Sequence, residues 1–356
     1  MLRPAVPRGR QDSAAAGLLG GAGIQSSGGF GMTSRLADVK TDSREPQVDL
    51  SVRIGRLTLA NPVMPASGTF AEGLEQVFDF NRLGAFVTKT ITRDYRSGNP
   101  TPRVAETASG MLNSIGIPSK GLATFLSDTL PFYRRYRPPL IVSISAPTAE
   151  QFAELARELT VPGIAAIEAN ISCPNIEADG RAFAMLPDST ETVVRRLRAA
   201  TELPLWVKLT PNTADIAAVA SAAEAAGADA LVVANTILGM AVDADTFRPR
   251  LGSIMGGLSG PAVKPIILRM TYQAARAVSI PVIGCGGIGT AEDAVEYLLA
   301  GATAVQVGTA TFLHPNATPE IIDGLATFCC RRGIARIEDL VGALVLDDAS
   351  LPAAAS

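Results

Sequence analysis

The sequence predicts an α/β protein built as a closed (β/α)8 TIM barrel, and three observations carry that reading. Eight compact apolar runs alternate with helical stretches along about 290 residues. The runs are too continuously apolar for a sheet with one wet face, so both faces must be covered. Glycine clusters end the seventh and eighth runs, where barrels of this kind commonly hold a phosphate. Eight such units fit a closed barrel better than an open doubly wound sheet.

Residues 1–46 stand apart. They are rich in Gly, Ala and Ser, with Arg3, Arg8 and Arg10 against the early acid Asp12. That composition predicts disorder. An Arg- and Ser-rich, acid-poor start also has the composition of an organelle transit peptide, but no amphipathic helix is evident. Met32 opens a more ordinary start. From Val48 the pattern becomes regular, and residues 47–346 read as one catalytic domain with a loose tail at 347–356. The stretch DLSVRIGRLTLAN alternates around Gly55 and reads as a hairpin over 48–60, placed to cap the bottom of the barrel.

The strand runs follow in order: NPVMPAS (61–67), GAFVTKT (84–90), LIVSISA (140–146), IAAIEANIS (164–172), LWVKLTP (205–211), ADALVVANT (228–236), PVIGCGG (281–287) and AVQVGTA (304–310). Between them, AEQFAELARELT, TADIAAVASAAEAAG and TAEDAVEYLLAG read as helices. The first starts after Pro147-Thr148; Thr213 and Thr290 are the expected N-caps of the other two, with acids in the first turn.

Composition bounds the chemistry. The chain has 356 residues, 31 basic and 34 acidic, a net charge of −3, and no clustered basic face for nucleic acid. One histidine, His314, and four cysteines, Cys173, Cys285, Cys329 and Cys330, exclude a multi-histidine metal site and strain any Ser-His-Asp triad or Cys-rich zinc module. Acid–base work therefore falls to Cys, Lys, Tyr or carboxylates. No run reaches the ~18–20 apolar residues of a membrane helix. The cysteine pattern shows no disulfide framework, which points to a reducing cytoplasm.

Gly284-Cys285-Gly286-Gly287-Ile288-Gly289 matches the dinucleotide fingerprint after a strand. The next strand ends at Gln306-Val307-Gly308-Thr309 without the carboxylate that would hold a ribose. A barrel explains both glycine clusters together: N–H groups of Gly286, Gly287, Gly308 and Thr309 cradle a phosphate. The polar residues at strand ends are Ser67, Lys89, Asn170, Ser172, Cys173, Asn175, Lys208, Asn235 and Thr236. Lys89 and Lys208 lie inside apolar runs, and a buried lysine needs an anionic partner or a shifted pKa. Cys173 sits among polar neighbours at the functional end, where a modest pKa shift makes a thiol a base near neutral pH. Cys285, Cys329 and Cys330 read as small buried hydrophobes, and His314 reads as structural.

At these motifs the chain resembles the class 1 dihydroorotate dehydrogenases, an FMN-containing barrel family of pyrimidine synthesis. The matching stretches run from Asn61 to Phe312 and include NPVMPASGTF, VTKTITRDYRSGNPTPRVAETASGMLNSIGI, IEANISCPN, WVKLTPN, ANTILGM, GGLSGPAVKP, GCGGIG and VGTATF. The resemblance implies Cys173 as catalytic base, where the membrane-associated class 2 enzymes have serine. It implies Lys89 as a contact to both flavin and substrate, and Asn113, Ile115, Gly116, Ile117, Asn170, Asn175, Asn235 and Thr236 as substrate-binding positions. Ala66, Ser67, Lys89, Thr90, Asn170, Lys208, Gly260, Gly286, Gly287, Gly308 and Thr309 match flavin-contacting positions. In that chemistry Cys173 takes a proton from C5 of dihydroorotate while hydride leaves C6, and Lys208 stabilises the charge that arrives on the flavin.

GNPTPRVAETASGMLN and GGLSGPAVKP look most like the B type. That type implies a heterotetramer of two catalytic subunits and two electron-transfer subunits carrying FAD and a [2Fe–2S] cluster, with NAD as acceptor. A fumarate-using A-type homodimer and a dihydropyrimidine dehydrogenase-like enzyme are the alternatives within the redox reading. A phosphate-binding lyase or isomerase barrel is the reading from a different class.

Overall fold

The computed structural model describes residues 48–172 and 182–346. The N-terminal extension, the tail after 346, and Cys173 and Asn175 lie outside the described residues. Among the described residues, eight parallel strands form one sheet in the order β3-β16-β15-β10-β9-β8-β7-β4. These are β3 (Val63–Pro65), β4 (Phe86–Val87), β7 (Leu140–Ile144), β8 (Ala166–Asn170), β9 (Leu205–Lys208), β10 (Ala230–Val233), β15 (Val282–Gly284) and β16 (Ala304–Val307). Each lies inside one of the eight predicted runs. The ring closes where Gly84 N–H donates to Val63 O at 2.9 Å, joining the approach to β4 to β3. A Cβ at Gly84 would overlap the Asn61 carbonyl, so that closure needs glycine.

The predicted hairpin is β1 (Val52–Ile54) and β2 (Leu57–Leu59), turning at Gly55 with φ +57°. It lies at the bottom of the barrel: Arg56 reaches the Glu202 carbonyl, just ahead of β9, at 2.6 Å. Val52, Ile54 and Leu59 enter the main core.

Helices Ala149–Glu158, Pro187–Ala200, Ile216–Ala225, Lys264–Ala277, Ala291–Leu299 and Ala317–Arg332 form the outer layer. Thr290 caps its helix as expected, in a reciprocal capping box with Asp293. Thr213 does not cap. Asp215 takes that role, accepting from Ala217 N and Ala218 N, while Thr213 donates to Met185 O. A carboxylate nearer the first turn offers the stronger acceptor to those free N–H groups.

Where regular helices are missing, between β3 and β4, two 3-10 turns and an aromatic cluster fill the space. Phe70, Phe80, Phe86, Tyr133 and Tyr136 stack there with centroid separations of 4.8–6.5 Å along the chain of contacts. A second, four-stranded antiparallel sheet lies outside the eight runs. It runs β11 (Ile237–Gly239), β14 (Gly256–Ser259), β6 (Gly110–Asn113), β5 (Val104–Thr107). A short ribbon, β12 (Val242–Asp243) with β13 (Arg248–Pro249), extends from the same insertion.

Candidate active site

Pleating turns alternate residues of a barrel strand inward. Glu168 of β8, Lys208 of β9 and Gln306 of β16 meet across the bore, which fixes them as inward-facing. Lys208 Nζ donates to Gln306 Oε1 at 3.0 Å, and Gln306 Nε2 donates to Glu168 Oε2 at 2.6 Å. Lys208 also reaches Ser67 Oγ at 3.4 Å and Cys285 Sγ at 3.6 Å. Burial opposes the Lys208 ammonium, but the Cys285 sulfur and the Glu168 carboxylate outweigh it, and its pKa stays above the ordinary lysine value. Burial pushes the Cys285 thiol up despite the neighbouring lysine, and Glu168 is the carboxylate linked to Lys208 through the Gln306 amide.

A second polar chain links the ends of β4, β8 and β10. Thr90 Oγ1 and Ser143 Oγ are 2.9 Å apart, and Asn170 Nδ2 donates to Thr90 at 3.3 Å. Asn170 Oδ1 accepts from Ser172 Oγ at 2.7 Å and from Asn235 Nδ2 at 3.4 Å. Asn235 Nδ2 also donates to Ser172 at 2.6 Å, and its Oδ1 accepts from Thr236 N at 2.8 Å. Lys89 stands two residues beyond β4, half-buried, beside Gly68. A cavity of about 470 Å³ opens there, walled by Lys89, Thr90, Phe70, Phe125, Tyr133 and Phe312.

The glycine clusters occupy the loops after β15 and β16. Tyr297 donates to Gly286 O at 2.6 Å, and Asp293 accepts from Gly289 N and Thr290 N, so the loop is tied at both ends to the helix behind it. Gly287 has φ +70° and lies against Lys264, whose backbone a Cβ would meet at 2.9 Å. Ala66 N–H donates to Val307 O at 2.8 Å beside Gly308. Thr309 Oγ1 and Ser259 Oγ are 2.8 Å apart, which joins the antiparallel sheet to this loop. Gly260, with φ +99°, packs against Gly110, where a Cβ would sit 2.7 Å from the Gly110 Cα.

The antiparallel sheet explains how Asn113, Ile115, Gly116 and Ile117 belong to the mouth. Asn113 ends β6 and donates to Gly257 O of β14 at 3.2 Å, and Gly257 lies so close to Thr236 that a Cβ there would overlap its hydroxyl. The loop beyond holds Gly116 at φ +76° and Ile117 at φ +50°.

Two sequence expectations need correction. Cys285 is buried but not inert packing, because it faces Lys208. Cys330 is exposed, since it falls on the solvent side of the last helix while Cys329 turns inward. His314 pairs with exposed Glu320 at 2.8 Å. Glu168 and Gln306 were overlooked, although each interrupts an apolar run just as the lysines do.

Fold and site together define a (β/α)8 barrel enzyme whose polar machinery lies at the C-terminal ends of the strands. The chain belongs to the dihydroorotate dehydrogenase family, whose model matches residues 49–329. It is 52% identical over 298 residues to the dihydroorotate dehydrogenase B (NAD(+)) catalytic subunit of Trichlorobacter lovleyi, covering 83% of this chain and 98% of the relative. The proteins of the same description from Pelobacter propionicus and Thermoanaerobacter pseudethanolicus are 49% and 46% identical, over 83% and 84% of this chain and 98% and 100% of theirs.

Proposed function

We propose that this chain oxidises dihydroorotate to orotate with bound FMN, as the catalytic subunit of an NAD-linked, B-type enzyme of pyrimidine synthesis. The observation that carries the reading is the buried Lys208 ammonium at the barrel mouth, in a chain whose relatives of near-equal length bear that activity in their names. The site suits the cofactor: a buried cation stands at the mouth, and two glycine loops follow β15 and β16, where a phosphate binds such barrels.

In this reading Gly286, Gly287, Gly308 and Thr309 hold the phosphate, with Gly260 allowing close approach beside them. Ala66, Ser67, Lys89, Thr90, Asn170 and Lys208 hold the ring. FMN supplies the acceptor for the hydride that leaves C6 of the substrate. Cys173 removes the C5 proton, and Lys89 with Asn113, Asn170, Asn175, Asn235 and Thr236 binds the carboxylate and ring amides, while Ile115, Gly116 and Ile117 shape the loop over them. Electrons leave through a separate subunit carrying FAD and [2Fe–2S], in a cytoplasmic heterotetramer built on a homodimer of this chain. Among the described residues no helix is long and apolar enough to cross a membrane.

The purified chain should be yellow and should bleach without air when dihydroorotate is added. Cys173→Ala should retain FMN and lose most flavin reduction at neutral pH, with partial return in Cys173→Ser at higher pH. A colourless protein that takes up no FMN refutes the cofactor; undiminished single-turnover reduction in the alanine variant refutes the base. Adding NAD⁺ or fumarate to the chain alone and to the co-expressed pair then separates the B-type from the A-type acceptor.

A further inference from the structure

Barrel interiors of this class are ordinarily filled by branched apolar side chains. Here the middle of the bore holds Glu168, fully buried, with Oε2 bound to Gln306 and Oε1 without a hydrogen-bond partner. A carboxylate in that position is costly unless its charge is used, and an apolar replacement of a buried ion pair is often neutral or stabilising. Among the described residues its hydrogen bond leads to Gln306, and the same amide accepts from Lys208. The amide orientation is set by its two neighbours: oxygen to the ammonium, nitrogen to the carboxylate.

We propose that Glu168 is a positioning residue for the flavin site, acting through Gln306 to hold Lys208 as an oriented cation at the barrel mouth. The inference rests on the FMN reading above. The groups facing Lys208 are Gln306, Ser67 and Cys285, and Glu168 is the carboxylate joined to it through the Gln306 amide. With the carboxylate gone, burial opposes the Lys208 ammonium with one supporting group fewer, and the cation is held less firmly. The positive charge that favours the reduced flavin is then weakened and less fixed in place, and the midpoint potential of bound FMN falls.

The test uses the full chain loaded with FMN, reading the midpoint potential by dye equilibration and FMN affinity by fluorescence titration. Glu168→Gln should favour oxidised over reduced FMN by about tenfold, a fall of about 30 mV for a two-electron couple. Gln306→Leu, which cuts the relay and leaves the carboxylate, should shift the potential the same way and serves if Glu168→Gln does not fold. In a Lys208→Met background the Glu168→Gln shift should vanish. Wild-type potentials in both single variants, a shift that survives without Lys208, or unfolding of both single variants each overturn the proposal. A wild-type chain that binds no FMN removes the FMN reading itself, and this proposal with it.

Discussion

The bore of the barrel and the wall around it are equally dry and held by opposite means. Val207 and Lys208 are consecutive in β9 and 0% and 3% exposed, yet one faces the helix layer and the other the bore. In the wall, Ile167, Val207, Leu231 and Val305 meet the helices and contribute in proportion to apolar area removed from water. In the bore, Glu168, Gln306 and Lys208 contribute only as a set, because each is costly without its partner. Burial therefore does not tell structure from function here. The side of the pleat does.

The largest effect should come from breaking the bore. Lys208→Met strands Glu168 as an uncompensated carboxylate and should cost about 3–5 kcal/mol in urea unfolding. Adding Glu168→Gln should recover most of that cost; a double variant no more stable than the single would show that the two charges are not coupled. In the wall, Leu231→Ala should cost about 2–5 kcal/mol through lost contact and cavity, with FMN affinity unchanged. Equal losses of flavin affinity from the wall and bore variants would erase the distinction.

A smaller effect belongs to the edge where wall and site meet. Thr290→Ala removes the cap of the helix behind the glycine loop after β15 and should cost about 0.5–2 kcal/mol. Asp293, in the same box, is opposed by burial, but Lys264 at 2.5 Å and the N–H groups of Gly289 and Thr290 hold its pKa below the ordinary carboxylate value. Its stabilising contribution is thus complete above about pH 4 and is lost as pH falls through the lower folded value. Acid titration should therefore bring the wild type and Asp293→Asn together below that range, and a stability difference that persists there would contradict the assignment. The smallest effect lies outside both regions: Glu191→Gln breaks an exposed ion pair with Arg195 and should stay within about 0.5 kcal/mol by the same unfolding assay.

Much of this could be read from pattern. The eight runs, the hairpin, the Thr290 cap and Lys208 as a lysine in need of an anion follow from local periodicity and charge. The antiparallel sheet was not legible, because its strands have three or four residues with Gly and Ser among them, and Asn113 meets Gly257 across 144 residues of chain. Glu168 and Gln306 were visible as polar interruptions, but their pairing spans 138 residues and joins strands that are not neighbours in the sheet. Nothing local distinguishes such a residue from a strand-edge polar group.

The sequence by itself determined the barrel and the residue types available for chemistry, because alternation of strand and helix is a short-range property and composition leaves one histidine. Only the tertiary structure decided which anion answers Lys208. That choice depends on which side chains from distant strands converge in the closed bore, where low polarity makes each charge depend on its partner.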